Sequence, residues 1–415
     1  MQFDTPLRDR HQNWVTDEGR RIASRIASTQ RPGAASADSG ASFEIEYIPY
    51  GPADETGSPS CEIVSAYGPV EPEYAAIRRG VGLMDSPHRT TIELRGGDRL
   101  AFLDSMITQK VGDLAPGSVR RSFWLNRKGR IVSDLVVANL EDRCLLEVDV
   151  HKAEETIKTL DNYLFAEDAE FHWDPTEHRQ LRLHGSAACA ALDDLLDEGS
   201  APGPDAVTEG TMGSCRVVLV RIDETGEPGI AVIVRTDEVA QVWDRLLAWE
   251  GSGEQRVRPV GWSAFNTARI EAGTPLFNVD FGSDALPQES GVLEDRVCFN
   301  KGCYLGQEIV ARLQSLGHAK QLLVGLDLDG ELLPVAGSQI FESAAMADGS
   351  TGLGPQVGWV TSSTIAPMLG ARPVALAMIR YEQAAAGTSL HLTAEGERID
   401  AVVREQLSFL PGAGS

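Results

Sequence analysis

The sequence predicts an α+β protein that ends in a small β-barrel, and three observations support this fold class. Helical and strand patterns are interleaved between residues 73 and 320 without the regular β-α-β-α rhythm of a parallel sheet. Apolar residues recur at helical spacing over 100–107, 153–164 and 239–247. From Leu322 onward, short strands alternate with turn signals and show almost no helical period, which is typical of a barrel or sandwich.

The chain divides into three parts. Residues 1–65 form an N-terminal extension, and its segment 27–42 is so rich in Ala, Ser, Gly and Pro that we expect a mobile insertion. Residues 66–312 carry the interleaved helices and strands, and residues 313–415 carry the barrel. The strands with the clearest patterns are 180–184, 215–222, 230–234, 322–328, 358–361, 374–381 and 389–393.

Composition argues against several classes of function. With 37 basic and 61 acidic residues the formal net charge is −24, so we expect no general binding to nucleic acids or anionic membranes. The sequence has no Walker-type loop and no Gly-x-Gly-x-x-Gly after a strand, which argues against NTPases and nucleotide-dependent dehydrogenases. We expect a cytoplasmic protein, since neither a signal peptide nor an apolar run of about 18 residues is present. Arg120, Arg121, Arg127, Lys128 and Arg130 form a local basic cluster, which suits either a polyanionic ligand or a solvated hairpin edge.

The cysteine pattern predicts no metal site. Six cysteines occur, at positions 61, 144, 189, 215, 298 and 303, and none forms a Cys-x-x-Cys pair. Cys298 and Cys303 are close enough in sequence that a disulfide or a shared metal remains an open alternative for this pair.

Cys303 lies in a setting typical of a reactive thiol. It belongs to the motif KGCYLGQE, residues 301–308, just ahead of a predicted helix that ends before Gly317. The helix N-terminus and the ammonium of Lys301 both favour a thiolate. The alternative is that Cys303 is a small buried apolar residue and that the glycines only turn the chain.

This motif closely resembles the signature of the YgfZ family of folate-binding proteins, whose mitochondrial relatives are iron–sulfur cluster assembly factors. These proteins are related to the glycine cleavage T-protein, the tetrahydrofolate-dependent aminomethyltransferase, which has no cysteine at this point. The resemblance extends from about Tyr74 to Tyr381. It implies a three-lobed T-protein-like cloverleaf with folate at its centre and the C-terminal β-barrel as one lobe.

Two carboxylates match the T-protein pattern. Asp134 lies among apolar strand residues, where a carboxylate is protonated, paired or bound to a ligand. The resemblance places it near the folate nitrogen that receives the one-carbon unit, although Ser133 replaces the preceding aspartate of the family. Glu227, in a predicted hairpin turn over 223–229, is by the same resemblance the anchor of the pterin ring, and Glu224 replaces the family tyrosine.

Other residues have weaker assignments. Arg269 belongs to a segment that resembles the one closing the folate cleft, and a purely structural ion pair with Glu271 or Asp280 is the alternative. Tyr304, inside the motif, is a further candidate for contact with folate. For His88, three residues after Asp85, we favour a turn-stabilising hydrogen bond over a catalytic role.

Two functions are therefore expected from the sequence. The first is a YgfZ-like protein that binds tetrahydrofolate and supports assembly or repair of iron–sulfur proteins, with Cys303 as its functional thiol and Lys301 as the group that activates it. The alternative is an enzyme, a tetrahydrofolate-dependent aminomethyltransferase or other one-carbon transferase, in which Asp134 handles the proton. In either case Asp134, Glu227 and Cys303 are expected to meet in one central cleft.

Overall fold

A computed structural model describes residues 3–29, 45–53, 57–253, 255–345 and 351–410 of the chain. The helices are α1 (Arg8–Thr29), α2 (Val70–Arg79), α3 (Arg99–Met106), α4 (Ala153–Asp161), α5 (Ala188–Leu195), α6 (Val239–Leu247), α7 (Trp262–Ala272), α8 (Leu293–Arg296) and α9 (Gln307–Leu316). Before the barrel the strands are β1 (Glu46–Pro49), β2 (Glu62–Ala66), β3 (Val81–Asp85), β4 (Arg89–Arg95), β5 (Ser118–Leu125), β6 (Ile131–Asn139), β7 (Arg143–Asp149), β8 (Glu170–His172), β9 (His178–His184), β10 (Val207–Met212), β11 (Cys215–Arg221), β12 (Gly229–Arg235) and β13 (Val257–Pro259). In the barrel they are β14 (Gln321–Leu328), β15 (Gln339–Ala345), β16 (Thr351–Ala366), β17 (Arg372–Arg380), β18 (Ser389–Ala394) and β19 (Glu397–Val403).

The first lobe is a six-stranded sheet in the order β10-β11-β12-β9-β3-β13. Its strands pair antiparallel except for β13, which runs parallel to β3. One face buries Leu183 and Val232 against Leu192 of α5 and Trp243 of α6, and Val15 of α1 joins the same cluster. These helices cover the sheet because each presents one apolar face to it.

The second lobe is a five-stranded sheet in the order β5-β6-β7-β4-β8. Helices α3 and α4 cover one face, where Phe102 and Leu160 pack with Leu135 and Leu146. The strands alternate, so the other face of β5 and β6 turns toward the first lobe and toward α7. That face carries the functional side chains described below.

The third lobe is a closed antiparallel barrel in the order β14-β17-β16-β15-β18-β19. Its interior holds residues such as Leu326, Ile340 and Leu392. The predicted C-terminal barrel is therefore confirmed, and the predicted short strand 358–361 is part of the longer strand β16.

Helix α7 joins the barrel to the other two lobes. Its Ile270 packs against Leu376 and Phe409, and fully buried Arg269 donates to Ser362 Oγ at 2.6 Å and pairs with Asp280. Arg269 thus forms the structural ion pair that was the alternative to a ligand contact. Within the described part of the chain, no helix has the length and apolar character needed to cross a bilayer.

The N-terminal residues are built into the first lobe. Leu7 and Val15 are buried in its core, and β1 pairs with β2. Helix α1 continues to Thr29, so the first three residues of the predicted insertion are helical, while 30–42 lie outside the described residues. Helix α9 spans the expected boundary between 312 and 313.

Candidate functional site

A narrow cavity lies where the two sheets, α7 and the segment after it meet. It measures about 630 Å³ with its open mouth, of which about 40 Å³ is wide enough for the centre of a water molecule. Its walls combine charged and aromatic side chains and consist of Tyr50, Met84, His88, Arg89, Arg121, Asp134, Val136, Arg182, Ile222, Glu224, Trp262, Phe265, Thr274, Pro275, Leu276, Phe277 and Arg296.

Asp134 occupies one wall of this cavity. The side chains of β6 alternate, so Ser133 faces away, toward Thr156, while Asp134 faces the cavity. Arg296 donates from Nε to Asp134 Oδ1 at 2.9 Å and also pairs with Asp295. Burial opposes the charge on Arg296, but the two carboxylates raise its pKa above the usual value. The expectation that Asp134 is paired and ligand-facing is consistent with this geometry.

A chain of alternating charges reaches the lining at Arg182 and Glu224. Arg182 donates from Nη2 to Glu147 Oε1 at 2.7 Å and from Nη1 to Glu224 Oε2 at 2.5 Å. Glu147 also holds Arg89. Burial alone raises the pKa of Glu224, but the positive groups around it, Arg182 first, lower that pKa to about 2. Glu224 therefore carries its negative charge throughout the physiological pH range.

His88 and two aromatic rings form a further part of the lining. The His88 ring lies 5.0 Å from Tyr50 and 5.8 Å from Trp262, between centroids. Burial lowers the pKa of His88 well below its usual value. Asp85 faces away from it, with Oδ2 3.6 Å from His11 Nε2, so no hydrogen bond joins Asp85 to His88 in the described structure.

Two buried polar atoms of the lining lack a hydrogen-bond partner among the described residues. They are Arg182 Nε and His88 Nδ1. Both side chains are at least nine-tenths buried, with exposures of 3% and 6%. Because an unpaired buried polar group is costly, these atoms fit a site that receives a polar ligand.

Glu227 lies outside the lining of this cavity. Its side chain is 27% exposed and has Arg78 Nη1 at 3.8 Å. Arg78 also donates from Nη1 to the carbonyl of Thr225 at 2.6 Å, which holds the turn in place. Of the two turn carboxylates, the structure brings Glu224 to the cavity and leaves Glu227 outside the lining, beside Arg78.

Backbone carbonyls hold the ammonium of Lys301. Its Nζ donates to the carbonyls of Asp104, Ile107 and Gln109 at 2.6, 3.0 and 2.8 Å, so it caps the C-terminus of α3. Burial lowers the pKa of Lys301 although Asp104 opposes that shift. The expected activation of Cys303 by this ammonium therefore has no geometric support.

Neither Cys303 nor Tyr304 lines the cavity. Cys303 is exposed in the loop before α9, which begins at Gln307, and it is absent from the cavity lining. Tyr304 is buried in an apolar cluster with Phe123 and Phe277, and burial raises its pKa to about 12. Of the three residues expected to share one cleft, Asp134 lines this cavity, and Cys303 and Glu227 are outside its lining.

The cysteines stay unpaired in the described structure. Cys298 and Cys303 are both free thiols, so the disulfide that the sequence left open is not formed. Among the described residues, no group of His, Cys, Asp and Glu side chains has the geometry to hold a metal ion.

Sequence reasoning missed most of the cavity. Arg182 and Glu147 are charged residues inside otherwise apolar strands, flanked by Leu181 and Leu183 and by Leu146 and Val148. That context was the available signal, because a charge in the middle of a buried strand needs a partner or a ligand. Tyr50 was missed because it precedes the region expected to bind folate.

Two sheets that enclose a charged cavity, followed by a closed barrel, define a protein of the T-protein fold class. The chain belongs to the family described as GCVT N-terminal domain, whose model matches residues 56–299. Residues 321–409 match the glycine cleavage T-protein C-terminal barrel domain. The predicted three-lobed fold is thereby confirmed.

Curated relatives carry the name aminomethyltransferase. The protein from Geobacillus sp. (strain WCH70) is 28% identical over 346 residues, covering 82% of this chain and 91% of the relative. The Bacillus subtilis (strain 168) protein is 27% identical over 330 residues, covering 79% and 87%. The solved aminomethyltransferase T of the glycine cleavage system from Bartonella henselae matches with a TM-score of 0.69 at 23% identity, covering 88% of this chain and 94% of that chain, which supports the fold. These names favour the aminomethyltransferase alternative over the YgfZ interpretation.

Proposed function

We propose that this protein is a tetrahydrofolate-dependent transferase of the aminomethyltransferase type, with the central cavity as its folate site. The position of Asp134 carries this proposal: a carboxylate held by Arg296 faces a cavity that four aromatic side chains and two unpaired polar atoms also line. Membership of the T-protein family and the names of the relatives support it.

The cavity suits a flat ligand that is polar at its edges. Trp262, Phe265 and Phe277 offer apolar ring faces, while Arg182 and Asp134 offer a donor and an acceptor. Tetrahydrofolate, when bound, supplies the nitrogen that accepts the one-carbon unit. Asp134 would orient or hold a proton at that nitrogen, and Arg296 would keep its carboxylate in position.

Titration of the purified protein with tetrahydrofolate tests binding, and transfer of a labelled aminomethyl carbon to tetrahydrofolate tests catalysis. We expect Asp134→Asn to bind folate within about threefold of wild type but to lose on the order of 100-fold or more in transfer rate. Asp237→Asn is a matched control, because Asp237 is 68% exposed and pairs only with surface Arg235 among the described contacts. Failure of the wild-type protein to bind tetrahydrofolate would contradict the proposal.

A second candidate is the YgfZ-type role in assembly or repair of iron–sulfur proteins, with Cys303 as the functional thiol. One observation favours it: Cys303 is exposed, in a motif that Lys301 anchors to the second lobe, so a partner protein can reach the sulfur. Activity of an iron–sulfur enzyme in cells that depend on this chain separates the two roles. Loss of that activity in Cys303→Ser with retention in Asp134→Asn supports the second candidate. Retention of it in both variants, together with loss of aminomethyl transfer in Asp134→Asn, supports the first.

A further inference from the structure

Glu224 is one of the two carboxylates in the cavity lining, with Asp134 as the other. It lies in the turn after β11, where the T-protein pattern has a tyrosine, and its side chain is 14% exposed. The turn directs Glu224 into the cavity, while Glu227, three residues later, lies beside Arg78 outside the lining. The two carboxylates of this turn therefore have different surroundings.

Arg182 holds the carboxylate of Glu224, which still has free positions for accepting hydrogen bonds. Arg182 binds its Oε2, and Glu147 in turn holds Arg182 from the other side at 2.7 Å. A carboxylate has about four acceptor positions, so one guanidinium contact leaves capacity for a ligand. The orphaned Nε of Arg182 adds a buried donor close to the same carboxylate.

Apolar faces lie beside this polar pair. Met84, Phe265 and Leu276 line the same cavity, and Trp262 adds a second aromatic ring. Apolar faces next to a fixed acceptor and a donor suit a flat heterocycle with N–H groups and a ring acceptor along one edge. The aminopyrimidinone edge of a pterin has that chemistry, since it presents an amino group and a ring N–H side by side.

We propose that Glu224, positioned by Arg182, binds the aminopyrimidinone edge of the pterin ring and so takes the role that the sequence assigned to Glu227. This inference rests on the proposed folate site and specifies which end of the ligand lies at the Glu224 wall. The one-carbon end is then expected at Asp134, the other carboxylate of the lining.

Calorimetric titration with two fragments of the ligand tests the assignment. The probes are 6-methyltetrahydropterin, which carries the pterin end, and p-aminobenzoylglutamate, which carries the tail. We expect Glu224→Gln to weaken binding of the pterin fragment by about 10-fold or more, as for hydrogen bonds to a charged group, and to leave the tail fragment within about twofold. Glu227→Gln, the matched control from the same turn, should leave both fragments within about twofold.

A change in the ligand covers the case in which Glu224→Gln is too unstable to measure. Methylating the 2-amino group twice removes its N–H donors, so wild-type protein should bind the dimethylated pterin at least about 10-fold more weakly. A difference below about twofold overturns the assignment. Where Glu224→Gln is stable, it should bind 6-methyltetrahydropterin and the dimethylated pterin with similar affinity.

The failures are distinguishable. If wild type binds tetrahydrofolate but Glu227→Gln, and not Glu224→Gln, weakens the pterin fragment, the assignment of Glu224 is wrong and the proposed function stands. If wild type binds neither tetrahydrofolate nor the pterin fragment, the assignment of Glu224 and the proposed function are both wrong.

Discussion

The central cavity and the Cys303 loop are the two regions that the sequence marks as functional, and they differ in how their charges are used. In the cavity, buried Arg182 and partly buried Glu224 face a space that a ligand can enter. In the loop, the ammonium of Lys301 donates hydrogen bonds to three backbone carbonyls, and the Cys303 thiol is exposed to solvent. A charged residue next to a nucleophile in sequence is therefore no guide to its partner in space.

The largest expected effect on stability is in the cavity. Arg182→Leu removes the cation between Glu147 and Glu224, and breaking a buried pair from one side costs about 3–5 kcal/mol. Arg235→Leu removes a cation that is 55% exposed and pairs with Asp237, so we expect a change below about 1 kcal/mol. Urea unfolding at neutral pH measures both. Equal small losses would show that the cavity charges are not energetically coupled.

The pH dependence of Glu224 sharpens the contrast. Its pKa is lowered from 4.5 to about 2 in the folded protein, so its ionised form stabilises the fold above pH 4.5, and this contribution is lost as the pH falls toward 2. Wild type should therefore have a larger free energy of unfolding than Glu224→Gln, by up to about 3 kcal/mol from this shift. We expect this difference to be largest above pH 4.5 and to vanish toward pH 2. Unfolding curves across that range measure the gap. A gap that does not change with pH contradicts the assigned charge state.

Lys301→Met tests the structural role of the loop. The carbonyl of Asp104 in α3 and those of Ile107 and Gln109 after it lose their donor, which we expect to cost about 1–3 kcal/mol. Lys158→Met, on the exposed face of α4, should change stability by less than about 0.5 kcal/mol. Folate binding should stay within about twofold in both variants, because Lys301 does not line the cavity. Tenfold weaker folate binding in Lys301→Met would show that the Cys303 loop contributes to the folate site.

The smallest effect is expected at Cys303 itself. Cys303→Ser should change the unfolding free energy by less than about 0.5 kcal/mol, since the side chain is exposed. In native protein an alkylating reagent should modify Cys303 well before Cys61 and Cys144, which are buried and whose pKa values burial raises to about 12 and about 11. Mass spectrometry of the alkylated protein measures the order. Slow alkylation of Cys303 would show that the loop is covered.

Strong periodic patterns made the architecture predictable. The barrel strands β14, β17 and β18 coincide closely with the apolar runs that predicted them, because alternating residues and turns are local properties. Asp134 was predictable for a similar reason: an isolated carboxylate in an apolar strand needs a partner. That partner, Arg296, lies 162 residues away, and its identity is not a local property.

The sequence by itself determined the T-protein-like fold, the order of the lobes and the presence of a carboxylate among the apolar residues of β6, since each depends on residues that are neighbours along the chain. Only the tertiary structure decided which charges meet. It joined Arg182 of β9 to Glu147 of β7 and to Glu224 of the turn, and it turned Glu224 rather than Glu227 into the cavity. The physical reason is that ion pairing depends on distance and desolvation in three dimensions, and the sheets that set both are built from strands far apart in sequence.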